Sequence, residues 1–166
     1  MLFRSEGLRY NVITLADIRP DRCAEKQQDR LVEYVGERGG ALAVIACPRG
    51  DYALWRNTPV AKLLPVRLPD APYVMDDVNN SGFLLKYTDY GRAQDWLRFE
   101  DDPDANAAVI AQLPEMYWYA RVKGAYAVAR PLIVHPSDVA ENGEPMPLVV
   151  KWSFNRGQVV WLGLDE

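Results

Sequence analysis

Blocks of apolar and polar residues along the first third of the chain predict a strand, a helix and a second strand. A β-branched, apolar run over 10–15 is typical of a buried strand. Apolar residues then recur at helical spacing, with Asp21 as the expected N-cap and Gly39 as the residue that ends the helix. The apolar run over 41–46 predicts a second strand. This order, with short links, forms a βαβ unit, so we expect parallel strands and a right-handed crossover.

The last third of the chain is rich in strand patterns. The candidate strands cover 116–122, 125–134, 147–154 and 158–164, with a polar loop over 136–147. The last two runs flank Asn155-Arg156-Gly157, and such residues between alternating apolar runs are a specific signal for a hairpin. We therefore expect a C-terminal β-hairpin.

The middle of the chain carries weaker signals. The expected elements are a loop over 48–59, helical turns over 60–64, a short strand over 65–68, a loop over 69–82, extended pieces over 83–87 and 96–99, and a helix over 105–113. Asp104 is the expected N-cap of that last helix. Together with the flanking patterns, these elements predict a single α/β domain over 1–166.

Composition narrows the classes of function. The chain has 166 residues, 49% of them apolar, which is enough for one packed core. The formal net charge of −4 argues against nucleic acid as a partner and against binding to an anionic membrane surface. No apolar run reaches the roughly 18–20 residues of a membrane helix, so we expect no direct membrane insertion by this chain.

The sequence has few residues or motifs that could bind a metal or a cofactor. Two cysteines and one histidine make neither a disulfide framework nor a zinc site. The acidic residues Asp76, Asp77, Asp101, Asp102 and Asp104 match no calcium-loop spacing. The glycines form no G-x-G-x-x-G fingerprint for a dinucleotide. We therefore expect no metal and no cofactor.

Three segments in the expected order resemble the class I glutamine amidotransferase-like domains of large bacterial proteins. The stretch 31–46 contains L-x-x-Y-V, then G-G and an apolar strand, 57–66 contains T-P and L-L-P-V, and 147–163 contains P-L-V-V and the hairpin. The resemblance implies a flavodoxin-like three-layer sandwich with a mainly parallel sheet and a C-terminal β-hairpin. It also implies a domain excised from a longer, often membrane-anchored protein, and an excised domain need not carry the signal that locates its parent.

Cys47 is the candidate nucleophile for amidotransferase chemistry, which uses a cysteine on a sharp turn, a histidine base and an orienting carboxylate. It directly follows the second predicted strand, where that nucleophile is expected. The turn normally has glycine on either side, whereas this chain has Ile45 and Arg49. Pro48 follows the cysteine, and proline has no N–H to donate to an oxyanion. Cys47 is therefore interpreted as an inert small residue.

His135 and Asp138 are the candidate base and orienting carboxylate. His135-Pro136-Ser137-Asp138 resembles the H-P-E of amidotransferases, with the carboxylate one position late. We expect an exposed bystander histidine, and hence a non-catalytic binding or interaction module whose partner is another domain of the parent or a separate protein. The alternative is a cysteine-dependent amidotransferase or hydrolase in which Cys47, His135 and Asp138 form a triad.

Aromatic residues provide a third interpretation. Tyr52 and Trp55 follow the second strand, and ligands favour the carboxyl ends of strands in such folds, so these are the candidate ligand-binding residues. Tyr117-Trp118-Tyr119 predicts core packing with a covered edge, or an aromatic surface for a sugar or a partner protein. A carbohydrate-binding module based on such aromatic residues is the third candidate function.

Overall fold

The structure is a computed structural model that describes residues 11–48, 51–71 and 82–164. Within these ranges the strands are β1 (Val12–Ala16), β2 (Ala41–Ile45), β3 (Val66–Arg67), β4 (Lys86–Tyr87), β5 (Gly124–Ala125), β6 (Arg130–Val139), β7 (Pro145–Phe154) and β8 (Gly157–Leu162). The α-helices are α1 (Glu25–Gly36), α2 (Asp89–Arg92) and α3 (Pro103–Ile110). Short 3-10 helices cover Pro20–Arg22, Asp51–Asn57, Pro59–Leu63 and Asp95–Leu97.

A mixed sheet organises the described part of the chain, with the strand order β1-β2-β8-β7-β6-β4. β1 and β2 are parallel, with Val12 opposite Ala41, and α1 connects them. The predicted strand–helix–strand unit with parallel strands is thus confirmed. β8 is parallel to β2 and antiparallel to β7, and the pairs β7–β6 and β6–β4 are antiparallel. β3 and β5 form a separate antiparallel pair.

The α/β class and the C-terminal hairpin are confirmed, whereas the mainly parallel arrangement of the sheet is wrong. In the large sheet of the described residues, two strand pairs are parallel and three are antiparallel. β6, β7 and β8 follow one another through short turns, which can join antiparallel strands, whereas parallel strands need a long crossover. The sheet therefore has a parallel half, β1-β2-β8, and an antiparallel half, β8-β7-β6-β4.

The turn between β7 and β8 uses the residues that the sequence predicted. Asn155 has a φ of 50°, the left-handed conformation that asparagine tolerates. At Gly157 a Cβ atom would lie 2.2 Å from the carbonyl oxygen of Val35 and 2.3 Å from that of Gly40. Glycine at this position therefore lets the hairpin lie directly against the end of α1.

α1 begins later than the sequence predicted. Pro20–Arg22 forms a 3-10 helix, and Asp21 pairs there with Arg19 at 3.3 Å, so Asp21 does not cap α1. The cap position is Ala24, whose N–H donates to the side-chain oxygen of Gln27 at 2.9 Å. A glutamine side chain thus satisfies the backbone donor at the helix start.

The core lies between the sheet and the elements packed on it. α1 contacts β8 and the 3-10 helix Pro59–Leu63. The largest fully buried side chains are Trp161, Leu31, Leu42, Leu63, Leu64, Leu132, Leu148, Val35, Val60, Val66, Val150 and Val159. They come from β2, β6, β7 and β8 as well as from α1, so the core draws on both halves of the sheet.

Several weaker expectations for the second half are wrong. The piece 96–99 overlaps a 3-10 helix instead of being extended, and 116–122 has one isolated bridge, between Phe83 and Met116, in place of a strand. The helix α3 starts at Pro103, and its N-cap is Asp102, whose Oδ1 accepts the N–H of Ala105 at 2.8 Å. Asp104 therefore has no capping role.

The polar loop expected over 136–147 is largely strand. β6 continues to Val139 and β7 begins at Pro145, so the His135–Asp138 motif lies within β6. The register between β6 and β7 shifts between Val134 and Val139, the part of β6 that contains Pro136.

Some expectations fall outside the described residues. These are most of the loop over 69–82, with Asp76 and Asp77, and also Arg49. No helix within 11–48, 51–71 and 82–164 is both long and apolar enough to cross a membrane.

Candidate functional site

Cys47 lies directly after β2, at the carboxyl end of the parallel half of the sheet. It is partly buried, and its Sγ lies 4.0 Å from the carbonyl oxygen of Ile45, within its own strand end. The next residue is Pro48, which offers no N–H to an oxyanion. A cavity of about 10 Å³ beside Cys47 has room for about one water molecule. This cavity, as the described residues line it, is much smaller than a glutamine side chain.

Tyr52 and Trp55 line the same small cavity, but both are only 4% exposed. The Tyr52 hydroxyl donates to the carbonyl oxygen of Arg121 at 3.2 Å, and its ring meets the Trp161 ring edge-on at 5.9 Å. The Trp55 indole N–H donates to the carbonyl oxygen of Ile18 at 3.1 Å. These contacts make both residues part of the core, and they lie in the 3-10 helix Asp51–Asn57 where a loop was expected.

His135 is buried in β6, with 5% of its surface exposed, rather than standing in an open loop. Its Nδ1 accepts the backbone N–H of Asp138 at 2.8 Å and that of Ser137 at 3.2 Å. Because Nδ1 accepts, the ring proton is on Nε2, which has no hydrogen-bond partner among the described residues. The rings of Phe83 and Tyr119 lie 4.3 and 4.7 Å away. Burial lowers the pKa of His135.

Asp138 belongs to a hydrogen-bonded cluster with Tyr119 and Arg121. Its carboxylate accepts the Tyr119 hydroxyl, lies 3.3 Å from the Arg121 guanidinium and accepts the N–H of Val139 at 3.0 Å. Burial alone would raise the pKa of Asp138, but the Tyr119 hydrogen bond and the Arg121 charge hold that pKa below its ordinary value. Burial and the hydrogen bond to Asp138 raise the pKa of Tyr119 to about 12.

The protonation states of this cluster at neutral pH are therefore defined. Tyr119 is protonated, Asp138 is ionised, and His135 is neutral with its single lone pair directed at two backbone N–H groups. A general base needs an available lone pair and a pKa near the working pH. In this arrangement the imidazole has no lone pair with which to take a proton from a thiol.

The sheet order separates the candidate nucleophile from the candidate base. Cys47 follows β2 and His135 is in β6, with β8 and β7 between them. Three strand spacings of about 4.8 Å put the two residues about 14 Å apart, far beyond hydrogen-bond reach. His135 and Asp138 are brought together, but through the Asp138 backbone N–H, while its carboxylate contacts Tyr119 and Arg121.

The sequence reasoning overlooked Arg121 and the role of Tyr119. Both lie in the aromatic run that was expected to be a strand, where Arg121 is the one basic residue between Met116 and Val122. A lone cation in an apolar run often has an acidic partner, and this was the available signal for its pairing with Asp138. Trp118 and Tyr119 are buried in the core, whereas Tyr117 is 58% exposed, so these three residues do not alternate between two faces as in the expected strand.

A second region with unusual side chains follows β4. Tyr90, Trp96 and Phe99, here called the aromatic segment, are 45%, 52% and 54% exposed. The residues 89–104 contain six acidic and two basic side chains. The two basic ones are already paired, Arg92 with Asp89 at 2.8 Å and Arg98 with Asp95. The aromatic segment is thus flanked by uncompensated negative charge.

The chain is similar in structure to solved proteins, but the comparisons show no family for it. No family model and no curated protein matches the chain. It is similar to Cytoplasmic Protein STM3548 from Salmonella typhimurium, with 20% identity, a TM-score of 0.70 and coverage of 97% of this chain and 63% of that one. For Cytoplasmic Protein STM1381 from Salmonella typhimurium LT2 the identity is 19%, the TM-score is 0.70, and 94% of this chain and 61% of that one are covered.

A weaker likeness is to Gan42B, a GH42 beta-galactosidase from G. stearothermophilus. The identity is 14%, the TM-score is 0.52, and 95% of this chain and 19% of the galactosidase are covered. The chain thus spans somewhat less than two thirds of the two Salmonella proteins and about a fifth of the galactosidase. At these identities the comparisons concern the fold alone.

Proposed function

We propose that this chain is a non-catalytic, class I glutamine amidotransferase-like domain that serves as a binding or interaction module of a larger bacterial protein. The observation that carries the proposal is that the His135 lone pair is already occupied by the backbone N–H groups of Ser137 and Asp138. A flavodoxin-like ancestry is part of the same proposal. It is supported by the parallel half of the sheet, with α1 between β1 and β2.

The chemistry of Cys47 gives independent support. Pro48 removes one oxyanion donor, and the loss of one such donor costs about 3–4 kcal/mol of transition-state stabilisation. The separation from His135 leaves the thiol without the base that would ionise it. Both deficits act on the same step, attack of the thiolate on an amide carbon.

The aromatic segment is the surface that best fits a protein partner. Exposed aromatic side chains are enriched in interaction sites, where they supply most of the binding energy. The negative charge around Trp96 and Phe99 favours a partner with a basic surface, because complementary charge steers association and selects partners. We therefore propose a domain or protein with a basic, partly apolar patch as the partner, rather than nucleic acid.

Labelling with an electrophilic glutamine analogue tests the catalytic alternative. For a non-catalytic domain we expect Cys47 to react no faster than a thiol in a short unstructured peptide, and the His135→Ala variant to react at the same rate as the parent protein. Ammonia release from glutamine, measured in parallel, is expected to stay at the buffer background. Labelling that is faster than the peptide and is lost in His135→Ala would establish the cysteine-dependent amidotransferase instead.

Site-specific photo-crosslinking tests the interaction role. A photoreactive phenylalanine analogue is placed at Trp96 or at Phe99 in the full gene, in the cells that produce the protein, with the exposed Val128 as the control position. We expect a discrete protein adduct from the first two positions and none from Val128. Equal adduct patterns at all three positions, or none at any of them, would overturn the assignment of this segment.

A further inference from the structure

A cleft of about 550 Å³ lies on the antiparallel half of the sheet, away from Cys47. This volume is within the range of small-ligand sites. Its floor includes Val134 and Pro147, which are opposite each other on β6 and β7, and Lys86 is opposite Val134 on β4. Small and apolar residues, among them Ala125, Ala127 and Pro145, line much of the rest.

One wall of the cleft is held rigidly in place. The Tyr126 ring stacks on Trp152 with centroids 5.6 Å apart and planes at 15°, and the Tyr126 N–H donates to the carbonyl oxygen of Pro65 at 3.0 Å. The Trp152 indole N–H in turn donates to the carbonyl oxygen of Leu63 at 2.7 Å. The aromatic wall is therefore pre-organised, which reduces the entropy lost when a ligand binds.

Two charged side chains of opposite sign line the cleft. Lys86 and Glu144 both line it, and neither side chain makes a hydrogen bond or an ion pair within the described residues. The N–H of Glu144 donates to Asn142 Oδ1 at 3.3 Å, and the Asn142 side-chain NH2 group makes no hydrogen bond within the described residues. An apolar floor with one cation and one anion complements a ligand that carries both charges.

The spacing of these charges sets the size of the ligand. β4 and β7 are two strand spacings apart, which is about 10 Å, and Glu144 lies three residues before Pro147, the β7 residue in line with Lys86, which adds about 10 Å along the strand, so the two Cα atoms are about 14 Å apart. A free amino acid places its two charges much closer together than that. An extended chain of three residues spans about 10 Å.

We propose that this cleft binds a short zwitterionic peptide of about three residues, with its carboxylate at Lys86 and its ammonium at Glu144. The apolar floor and the Tyr126 ring contact the peptide side chains, and the Asn142 amide meets the peptide backbone. This site goes beyond the interaction role of the aromatic segment and does not depend on it.

Calorimetric titration with trialanine and its end-capped forms tests the proposal. We expect trialanine to bind, and we expect the N-acetylated and the C-amidated peptides each to bind on the order of fivefold more weakly, since each loses one exposed ion pair. Lys86→Gln should abolish the effect of C-amidation alone, and Glu144→Gln the effect of N-acetylation alone. Lys62→Gln and Glu37→Gln, exposed residues outside the cleft, should change neither.

Ala127→Trp gives a second test. Ala127 lines the cleft and is exposed, so we expect a tryptophan there to fill the cleft without disturbing the core. We expect it to abolish trialanine binding while the thermal midpoint stays unchanged. Absence of trialanine binding at millimolar concentration would overturn the proposal. So would binding that is insensitive to both caps, or a cap effect that survives in Lys86→Gln and Glu144→Gln.

Discussion

The imidazole of His135 is held in its neutral form by the groups on either side of it. Two backbone N–H groups point at Nδ1, so a proton added to Nδ1 would face two hydrogen-bond donors. Nε2 is buried without a hydrogen-bond partner among the described residues, and the imidazole packs against the rings of Phe83 and Tyr119. Asp138 and Arg121 exert opposite electrostatic effects on the ring, and burial outweighs both. Protonation of His135 is therefore unfavourable in the folded chain.

This lowered pKa predicts a pH-dependent loss of stability. The folded-state pKa of His135 lies below the value of 6.5 for an unperturbed histidine, so the unfolded chain binds more protons once the pH drops towards that value. Its contribution to stability is full above pH 6.5 and falls as the pH is lowered, by at most about 1.4 kcal/mol per pH unit. Urea unfolding between pH 5 and 8 measures the slope.

The matched variant for this measurement is His135→Asn, which keeps a short acceptor for the two N–H groups but does not titrate. We expect its stability to be flat between pH 7 and 5. Asp138, with its lowered pKa, contributes a separate loss of stability near and below pH 3.8, outside this window. An unchanged slope in His135→Asn would mean that another group causes the pH dependence.

For single residues, the sequence predicted the local position of the site residues but not their tertiary contacts. Cys47 does follow a strand, and His135 does lie close to Asp138, because both features are local in sequence. The contacts of Asp138 with Tyr119 and Arg121 link residues 17 to 19 positions apart, which no local pattern encodes. The burial of Tyr52 and Trp55 depends on how the chain after β2 folds back, and this too is a tertiary property.

Among the elements, α3 shows how a cap is selected between nearby candidates. Asp102 and Asp104 flank Pro103, and proline is favoured at the first helical position because it has no N–H to satisfy there. The residue before it is then the N-cap, which makes Asp102 the acceptor for the N–H of Ala105.

Two single substitutions distinguish these carboxylates. Asp102→Ala is expected to lower the free energy of unfolding by about 1 kcal/mol, the usual cost of removing an N-cap side chain. Asp104→Ala keeps the cap and is expected to cost less, a few tenths of a kcal/mol from the lost charge near the helix N-terminus. Denaturant titration of both variants measures the difference, and equal losses would show that Asp102 is not the effective cap.

Elements with long, regular patterns were those that the sequence predicted. β1, α1, β2 and the β7–β8 hairpin follow from periodicity and turn residues. The run 116–122 is rich in aromatic residues, which favour strands, but it pairs through a single bridge at Met116, so strand propensity alone did not provide a partner. The extended conformation predicted for 96–99 is wrong for a similar reason. An aromatic-rich stretch can form a 3-10 helix when no strand edge is available for pairing.

For the whole molecule, the central position of β8 concentrates stability in one strand. β8 joins the parallel and antiparallel halves of the sheet, and its Trp161 is 0% exposed. Trp161→Ala is expected to cost about 3–5 kcal/mol, as for other buried large-to-small changes. Trp96→Ala, at an exposed tryptophan, is expected to stay within about 0.5 kcal/mol of the parent protein.

Thermal unfolding followed by circular dichroism compares the two tryptophan variants. If Trp161→Ala does not fold, Trp161→Phe provides the graded case, because it keeps an aromatic ring and removes an indole N–H that has no partner among the described residues. A Trp161→Phe variant that is no less stable than the parent protein would contradict the expected contribution of Trp161 burial to stability.

The position of β8 also has a consequence for synthesis. On the ribosome the chain appears from its N-terminus, and β8 follows every other described strand. Until Gly157–Leu162 has emerged, β2 and β7 each present an unpaired edge, and neither half of the sheet can close on the other. At synthesis rates of about 5–20 residues per second, this interval lasts about 6–23 s from the release of β2. A nascent chain stalled before the hairpin turn would therefore be a substrate for chaperones, whereas one that has released Trp161 would not.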